Sequence, residues 1–502
     1  MGKSPPNRSV VLAGILFIFA LFVGLYQLDK TSLHMDEVIW MVNSKELFYA
    51  LLHRNSNYLE NAWWNNQQES YAIGLPSVIA SGLSQFLLAG NGKFSFHLLS
   101  DIVAARLPGA IISSTFPVFF FLVISRFFPT IPAVLAALAF SLSPPMLTMS
   151  RWLLHDNFLN YSCFLALVSF YWLNRKQKPI YYSLIPGVFF ALALLTKPSA
   201  VLILLPWLLL LITSPTRHSI HQFISTLIIT FVAIQLLWPE SWYHPVFSYI
   251  EYFRRQARFA DVGLMNHFRG LTLSDPGPWY YPFELTFKSQ IGIVILFLIG
   301  SAQAVKGILH QSKYSRFIGY IALFALPYAI ILSGYHAKPG VRYLLPIYPF
   351  IYLIVALGVS WAHRRLSKPV FLLFTLIFVI DLCTVFVYHP DYQLYYNPLV
   401  GGAKGIQKYT RTNVCLGSKA ALEYLDSEAI TGSVYIYGCQ DNAPYYSSRS
   451  FTKKLDQADI FIVEQYLSQL YPDDAKLQYI YRHPLVRQVS QYGLGTAYIY
   501  RR

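Results

Sequence analysis

The chain has 502 residues, 55% of them hydrophobic and 13% charged, with a mean hydropathy of +0.41. These values exclude an ordinary soluble domain and indicate a polytopic membrane protein, with room for roughly a dozen spans of ~20 residues plus a soluble part. The net charge of +15 would suit nucleic acid, but the basic residues are distributed as markers of membrane sidedness, which leaves no nucleic-acid partner.

The first apolar run, 10–28, follows Lys3 and Arg8 and lacks a small-residue cleavage site, so it reads as an uncleaved anchor. Just beyond it stand two adjacent carboxylates, Asp36 and Glu37, in a chain with only 24 acidic residues. Further apolar segments long enough to cross run over 104–125, 130–149, 155–174, 180–195, 199–213, 218–238, 289–305, 317–333, 343–361 and 369–388, with a weaker one at 72–89. The 239–288 loop is long, aromatic and without obvious periodicity, which suggests a lid or binding loop; His267, Trp279 and Tyr280 are its candidate substrate contacts. From about 389 the composition turns polar. There 418–426 looks helical, and 434–437, 459–463 and 495–500 look like short strands.

The fold class expected is therefore a polytopic α-helical membrane protein with a small C-terminal α/β extracytoplasmic domain. Residues 1–388 form the transmembrane domain, with outer loops 29–103 and 239–288, and 389–502 form the small domain. Of the four Cys, Cys163 and Cys383 lie in apolar runs and read as core residues. Cys415 and Cys439 lie in the polar tail, where a disulfide between them is allowed.

Charge settles the sidedness. The N-terminus, Arg126, the Arg175–Lys178 loop, Arg217, the 306–316 loop and the 364–368 loop together hold 13 Lys and Arg and no Asp or Glu. Basic short loops face the cytoplasm. Every acidic residue then falls on the outer side or, for Asp381, within a span. Loops 29–71 and 90–103 both come out on the outer side, so 72–89 cannot cross singly and is expected to be re-entrant or juxtamembrane. Parity gives about 11 spans, with the N-terminus cytoplasmic and the C-terminal domain extracytoplasmic, at the plasma membrane in a prokaryote.

Seven charged residues converge at the outer ends of the spans: Asp36, Glu37 and Asp156, with Arg106, Lys197, Lys338 and Arg342. One such cation alone is explained by snorkelling, and Asp36-Glu37 alone by a solvated loop that caps the next helix. Seven at one face point instead to function, because charge at bilayer depth costs ~2.5–3.5 kcal/mol each. The set suits an anionic lipid-linked substrate. Arg106, Lys197, Lys338 and Arg342 would hold a phosphate, and a carboxylate would take the proton of an acceptor hydroxyl. Asp36 is the expected base, with Glu37 in support. Asp36 and Asp156 are also the pair that would share a divalent metal such as Mg, Mn or Zn. There is no Walker A loop and no dinucleotide fingerprint, and the cytoplasmic loops are too short for a nucleotide site.

Several of these residues sit in a familiar order. Asp36-Glu37 after the first span, Arg106-Leu107-Pro108-Gly109-Ala110, Asp156 at the head of a later span and Thr196-Lys197-Pro198 resemble the C-superfamily (GT-C) of membrane glycosyltransferases. So do the Asp275-Pro276-Gly277-Pro278-Trp279-Tyr280-Tyr281-Pro282 run, Lys338 with Arg342-Tyr343-Leu344-Leu345-Pro346, and Tyr396-Asn397-Pro398. Within that superfamily the chain is similar to the protein O-mannosyltransferase and aminoarabinose transferase group (glycosyltransferase family 39-like) over nearly all of 1–402. The resemblance implies a sugar donor on a polyprenyl (dolichyl or undecaprenyl) phosphate and a protein, lipid or glycan acceptor. It also implies Asp36 and Asp156 as the essential outer acids, and Lys338 and Arg342 near the lipid phosphate. The group often carries a His-Pro-Pro type element where this chain reads Glu69-Ser70-Tyr71-Ala72-Ile73-Gly74, and a large lumenal β-trefoil insert is absent.

The expected function is therefore inverting transfer of a sugar from the lipid phosphate to an outer-face acceptor. The competing class is a transporter or flippase of lipid-linked sugars. That class predicts duplicated halves and mid-membrane charges, whereas here the charges gather at one face.

Overall fold

A computed structural model describes residues 6–55, 74–90, 96–153, 155–213, 215–310, 314–410, 415–492 and 494–502. The Glu69–Ile73 part of the stretch singled out above lies outside the described residues. Among those described, seven helices are long and apolar enough to cross a membrane: Arg8–Leu25, Asp101–Ile124, Arg217–Leu237, Ile291–Leu309, Ser315–Gly334, Val341–Arg365 and Lys368–Tyr388. The expected 130–149 span is broken. Thr130–Ser141 and Pro144–Arg151 meet at a 54° bend, because Pro144 and Pro145 cannot donate into the preceding turn and instead open a new helix. Asp156–Arg175 is a further 20-residue helix, and Ile180–Thr196 and Pro198–Thr213 are shorter apolar ones.

Close helix contacts depend on small residues. A Cβ on Gly300 would lie 1.9 Å from the Ile354 carbonyl oxygen, and one on Gly358 would lie 2.3 Å from that of Leu296. The Ile291–Leu309 and Tyr348–Arg365 helices can therefore pack backbone to backbone only with glycine there. The Lys368–Cys383 helix instead exposes Leu372, Leu373, Leu376, Ile377 and Ile380, an outward apolar face of the kind that lipid covers. Cys383, read above as a core residue, is exposed at the end of that helix, while Cys163 is buried.

The weak 72–89 segment forms the helix Leu75–Leu88, 14 residues long. At 1.5 Å per residue it reaches about 21 Å, short of a ~30 Å hydrocarbon core. It packs on the helix Glu37–Leu52, where a Cβ on Gly82 would meet the Ser44 carbonyl oxygen at 2.2 Å.

The 239–288 loop is more ordered than its composition suggests. It contains the helices Glu240–Tyr243, Pro245–Asp261 and Tyr280–Phe287, and a hairpin of β1 (Asn266–Phe268) and β2 (Leu271–Leu273). The C-terminal part carries a mixed sheet of β3 (Val434–Tyr437), β4 (Ile460–Glu464), β5 (Leu485–Gln491) and β6 (Leu494–Arg501) in the order β3-β4-β6-β5. The helix Leu416–Ser427 lies over one face, its apolar residues Ala421, Leu422 and Leu425 meeting Ile436, Ile462 and Ile499. Cys415 at its N-cap is joined to Cys439 by a disulfide.

Candidate active site

The loop ahead of the Glu37–Leu52 helix is held by two buried guanidinium groups. Arg106 donates to both carboxylate oxygens of Glu37, from Nε at 2.6 Å and Nη2 at 2.8 Å. Its remaining donors go to the carbonyls of Leu28 and Thr31 and, at 3.4 Å, Ser32. Glu37 also accepts from the backbone N–H groups of His34 at 3.1 Å and Leu153 at 2.8 Å. This bidentate pair is saturated. The geometry thus ties Arg106 to holding the loop, not to a phosphate, and Glu37 to the same task. Arg151 was not singled out above, yet it does likewise from the next layer, donating to Thr31 Oγ1 and to the carbonyls of Val23, Gly24, Tyr26 and Gln27.

Asp36, one residue earlier, faces the other way. It occupies the N-cap position, but its side chain makes no capping hydrogen bond. Instead Oδ2 accepts from Arg342 Nη2 at 3.1 Å and lies 3.5 Å from His34 Nδ1. Its side chain keeps 29% exposure, against 2% for Glu37. Burial alone would raise the Asp36 carboxyl, but the Arg342 guanidinium, with His34 and His155, outweighs it and holds the group below the usual carboxylate range. Arg342 keeps a spare donor: its buried Nε has no partner.

Asp156 and Lys197 form a second, deeper pair, Oδ1 to Nζ at 2.5 Å, both nearly fully buried. The ammonium of Lys197 also lies 3.4 Å from the centroid of the Tyr343 ring, next to Arg342 in sequence. Asp156 Oδ2 is buried without a hydrogen-bond partner. Lys338 is buried beside Asp275 at 3.5 Å, so it ties the 239–288 loop to the segment that carries Arg342. Among the described residues, no group of three or more His, Cys, Asp and Glu could hold a metal ion. Asp36 and Asp156 each face a cation, Arg342 and Lys197 respectively.

Beside Asp36 opens a cavity of about 100 Å³ bordered by Arg342, His34, Trp152 and Tyr280. Tyr280 is therefore at the site, whereas Trp279 is 71% exposed and His267 lies on the β1–β2 hairpin, opposite Thr272 and outside the cavity wall. Among the polar wall residues that escaped sequence reasoning are Glu284, Lys288 and Gln393. Lys288 stands at the outer end of a span, the same signal that marked Lys197 and Lys338. Gln393 carries no charge and gave no signal.

The C-terminal part reaches this loop directly. Leu33 N donates to Tyr446 Oη at 2.5 Å, Asn442 Nδ2 approaches the carbonyls of Leu33 and His34 at 3.5 Å, and Lys419 Nζ donates to the Lys30 carbonyl. Asp391 accepts from Ser32 N at 2.9 Å and Oγ at 3.2 Å. Asp36 is thus presented on a segment clamped from both sides.

Residues 93–243, which include Arg106, Asp156 and Lys197, match the family model for dolichyl-phosphate-mannose-protein mannosyltransferase. Among solved structures, ArnT from Cupriavidus metallidurans bound to undecaprenyl phosphate is similar, with a TM-score of 0.54 at 10% identity over 99% of this chain and 98% of that one. The archaeal oligosaccharyltransferase AglB from Archaeoglobus fulgidus, in complex with an inhibitory peptide and a dolichol-phosphate, aligns with a TM-score of 0.55 at 11% identity over 95% of this chain and 72% of that one. No curated protein matches the chain. The chain thus shares the fold of these two membrane proteins, and its 93–243 segment matches the family model of the group its sequence resembles.

Proposed function

We propose that the protein transfers a sugar from a polyprenyl-phosphate donor to a hydroxyl acceptor at the outer face of the membrane, with inversion, and that Asp36 is the general base. The observation that carries this reading is Arg342, shared between the Asp36 carboxylate and the cavity. The match to the dolichyl-phosphate-mannose-protein mannosyltransferase model, and the two similar structures, which hold undecaprenyl phosphate and a dolichol-phosphate, support a donor of this class.

In the reaction, the acceptor oxygen attacks the anomeric carbon as its proton passes to Asp36. The bond between that carbon and the phosphate oxygen breaks, and the phosphate leaves with both electrons. Arg342 stabilises the charge that develops there. Its unpartnered Nε and its Nη2 suit a phosphate fork. An arriving phosphate competes with Asp36 for the guanidinium, and each bond it takes raises the basicity of the carboxylate. The base is therefore strongest when donor is bound. Asp156 and Lys197 set the field behind Arg342 and position it through Tyr343.

The sidedness follows from the basic cytoplasmic loops. We read the bent pair, Asp156–Arg175, Ile180–Thr196 and Pro198–Thr213 each as a crossing beside the seven long apolar helices, which gives eleven spans. On this reading the N-terminus lies in the cytoplasm and the C-terminal part outside, in keeping with the basic short loops. The donor assignment is tested by offering radiolabelled polyprenyl-phosphate sugars to membranes from overexpressing cells. Consumption of one of them above control membranes is expected, and consumption of none would contradict the reading.

A further inference from the structure

Donor binding at Arg342 leaves the rest of the cavity without a task, and its floor is built for one. Gln393 is only 7% exposed, lines the cavity, and has no partner for either its Oε1 or its Nε2. A buried amide with both ends unused is uncommon in a folded protein and calls for a ligand that both donates and accepts. The residue is also held in place. Its carbonyl accepts from Lys288 Nζ, whose ammonium lies 3.7 Å from the centroid of the Tyr396 ring, and Asp391, two residues earlier, is bonded to Ser32. Burial brings Lys288 down to about 8, so near neutral pH it still presents a cation. Trp152, Tyr280 and Tyr396 supply apolar ring surface around the polar floor.

We infer that this cavity is the subsite for the donor's sugar ring, and that the Gln393 amide binds a pair of neighbouring ring hydroxyls, accepting from one and donating to the other. A fixed amide beside aromatic faces matches a pyranose, which has hydroxyls around its edge and C–H groups on its faces. The position fits the donor's sugar and not a remote glycan, because Arg342 borders the same cavity. The inference rests on the proposed donor and extends it to the sugar. Discrimination among sugars would then follow from which neighbouring hydroxyls reach Gln393, since an unpaired buried amide penalises the wrong ring.

The test measures binding of the purified full chain to bare undecaprenyl phosphate and to its mannose, glucose, galactose and aminoarabinose derivatives, in the wild type and in Gln393→Leu. At least one derivative should bind the wild type more tightly than the bare carrier. Gln393→Leu should lose that gain, roughly tenfold to a hundredfold, and keep its affinity for the bare carrier, which also shows that the variant is folded. Three results would overturn the inference: no derivative gaining over the bare carrier, the full gain surviving in Gln393→Leu, or equal weakening for bare and glycosylated carriers. If the wild type bound none of the carriers, the donor reading itself would fall, so the two failures are distinguishable.

Discussion

Arg342 donates to Asp36 over 3.1 Å and across 306 residues of chain, joining the segment ahead of the Tyr348–Arg365 helix to the loop after the first span. After burial, this contact is the largest influence on the acidity of the candidate base. Arg342→Gln should weaken donor binding and also shift the pH–rate profile. With the guanidinium gone, burial is the largest remaining influence on Asp36 and pushes its carboxyl upward. The acidic limb, where the rate falls as Asp36 takes up a proton, should then move to higher pH. A pH–rate profile of the variant at saturating donor checks the direction.

Glu37 and Arg106 should behave differently from their neighbour. Glu37→Ala leaves a buried guanidinium without its partner, a change that typically costs about 3–5 kcal/mol. Thermal unfolding in detergent should show that loss, and Glu37→Ala with Arg106→Met should recover part of it. A variant with unchanged stability would mean that the pair does not hold the loop.

These two carboxylates illustrate what the sequence could and could not reveal. Asp36, Asp156, Lys197 and Arg342 were visible because a charge at the outer end of an apolar run is costly and rare. That adjacent Asp36 and Glu37 point in opposite directions was not visible, since the partner of each comes from a distant helix. Lys288 carried the same signal as Lys197 but stood at the end of a long loop whose helices and hairpin lack clear periodicity. Gln393 is neutral, and only its burial marks it. In the C-terminal part, β3, β4 and β6 were legible as apolar runs, and all three are central or largely buried. β5 is a mostly exposed edge strand with a polar sequence, so its pattern was weak.

The clamp from the C-terminal part is a second feature no local pattern discloses. Tyr446 Oη accepts from Leu33 N across 413 residues. Tyr446→Phe removes the acceptor while keeping the ring. We expect about a tenfold fall in kcat, with little change in the KM for donor, because a small displacement of a positioned base is costly. Steady-state kinetics with varied donor separate the two.

Glu464 gives the C-terminal part its own pH dependence. Its buried carboxylate accepts from the N–H groups of Gly417 at 3.0 Å and Ser418 at 2.6 Å, and from the Ser418 hydroxyl. Burial outweighs these bonds and pushes it up to about 7 from 4.5. The folded form therefore binds a proton that the unfolded chain has released between those values. The stability this contributes is fully present below about 4.5 and is lost as pH rises toward 7, at most ~3 kcal/mol. Thermal melts should fall across that interval in the wild type and flatten in Glu464→Gln.

The most direct test of the central claim is sugar transfer by Asp36→Asn with the preferred polyprenyl-phosphate donor. The variant should bind donor and melt close to the wild type, while transfer falls by roughly 10²–10⁴-fold, the usual contribution of a general base. Wild-type turnover by Asp36→Asn would contradict the assignment of Asp36 as the base.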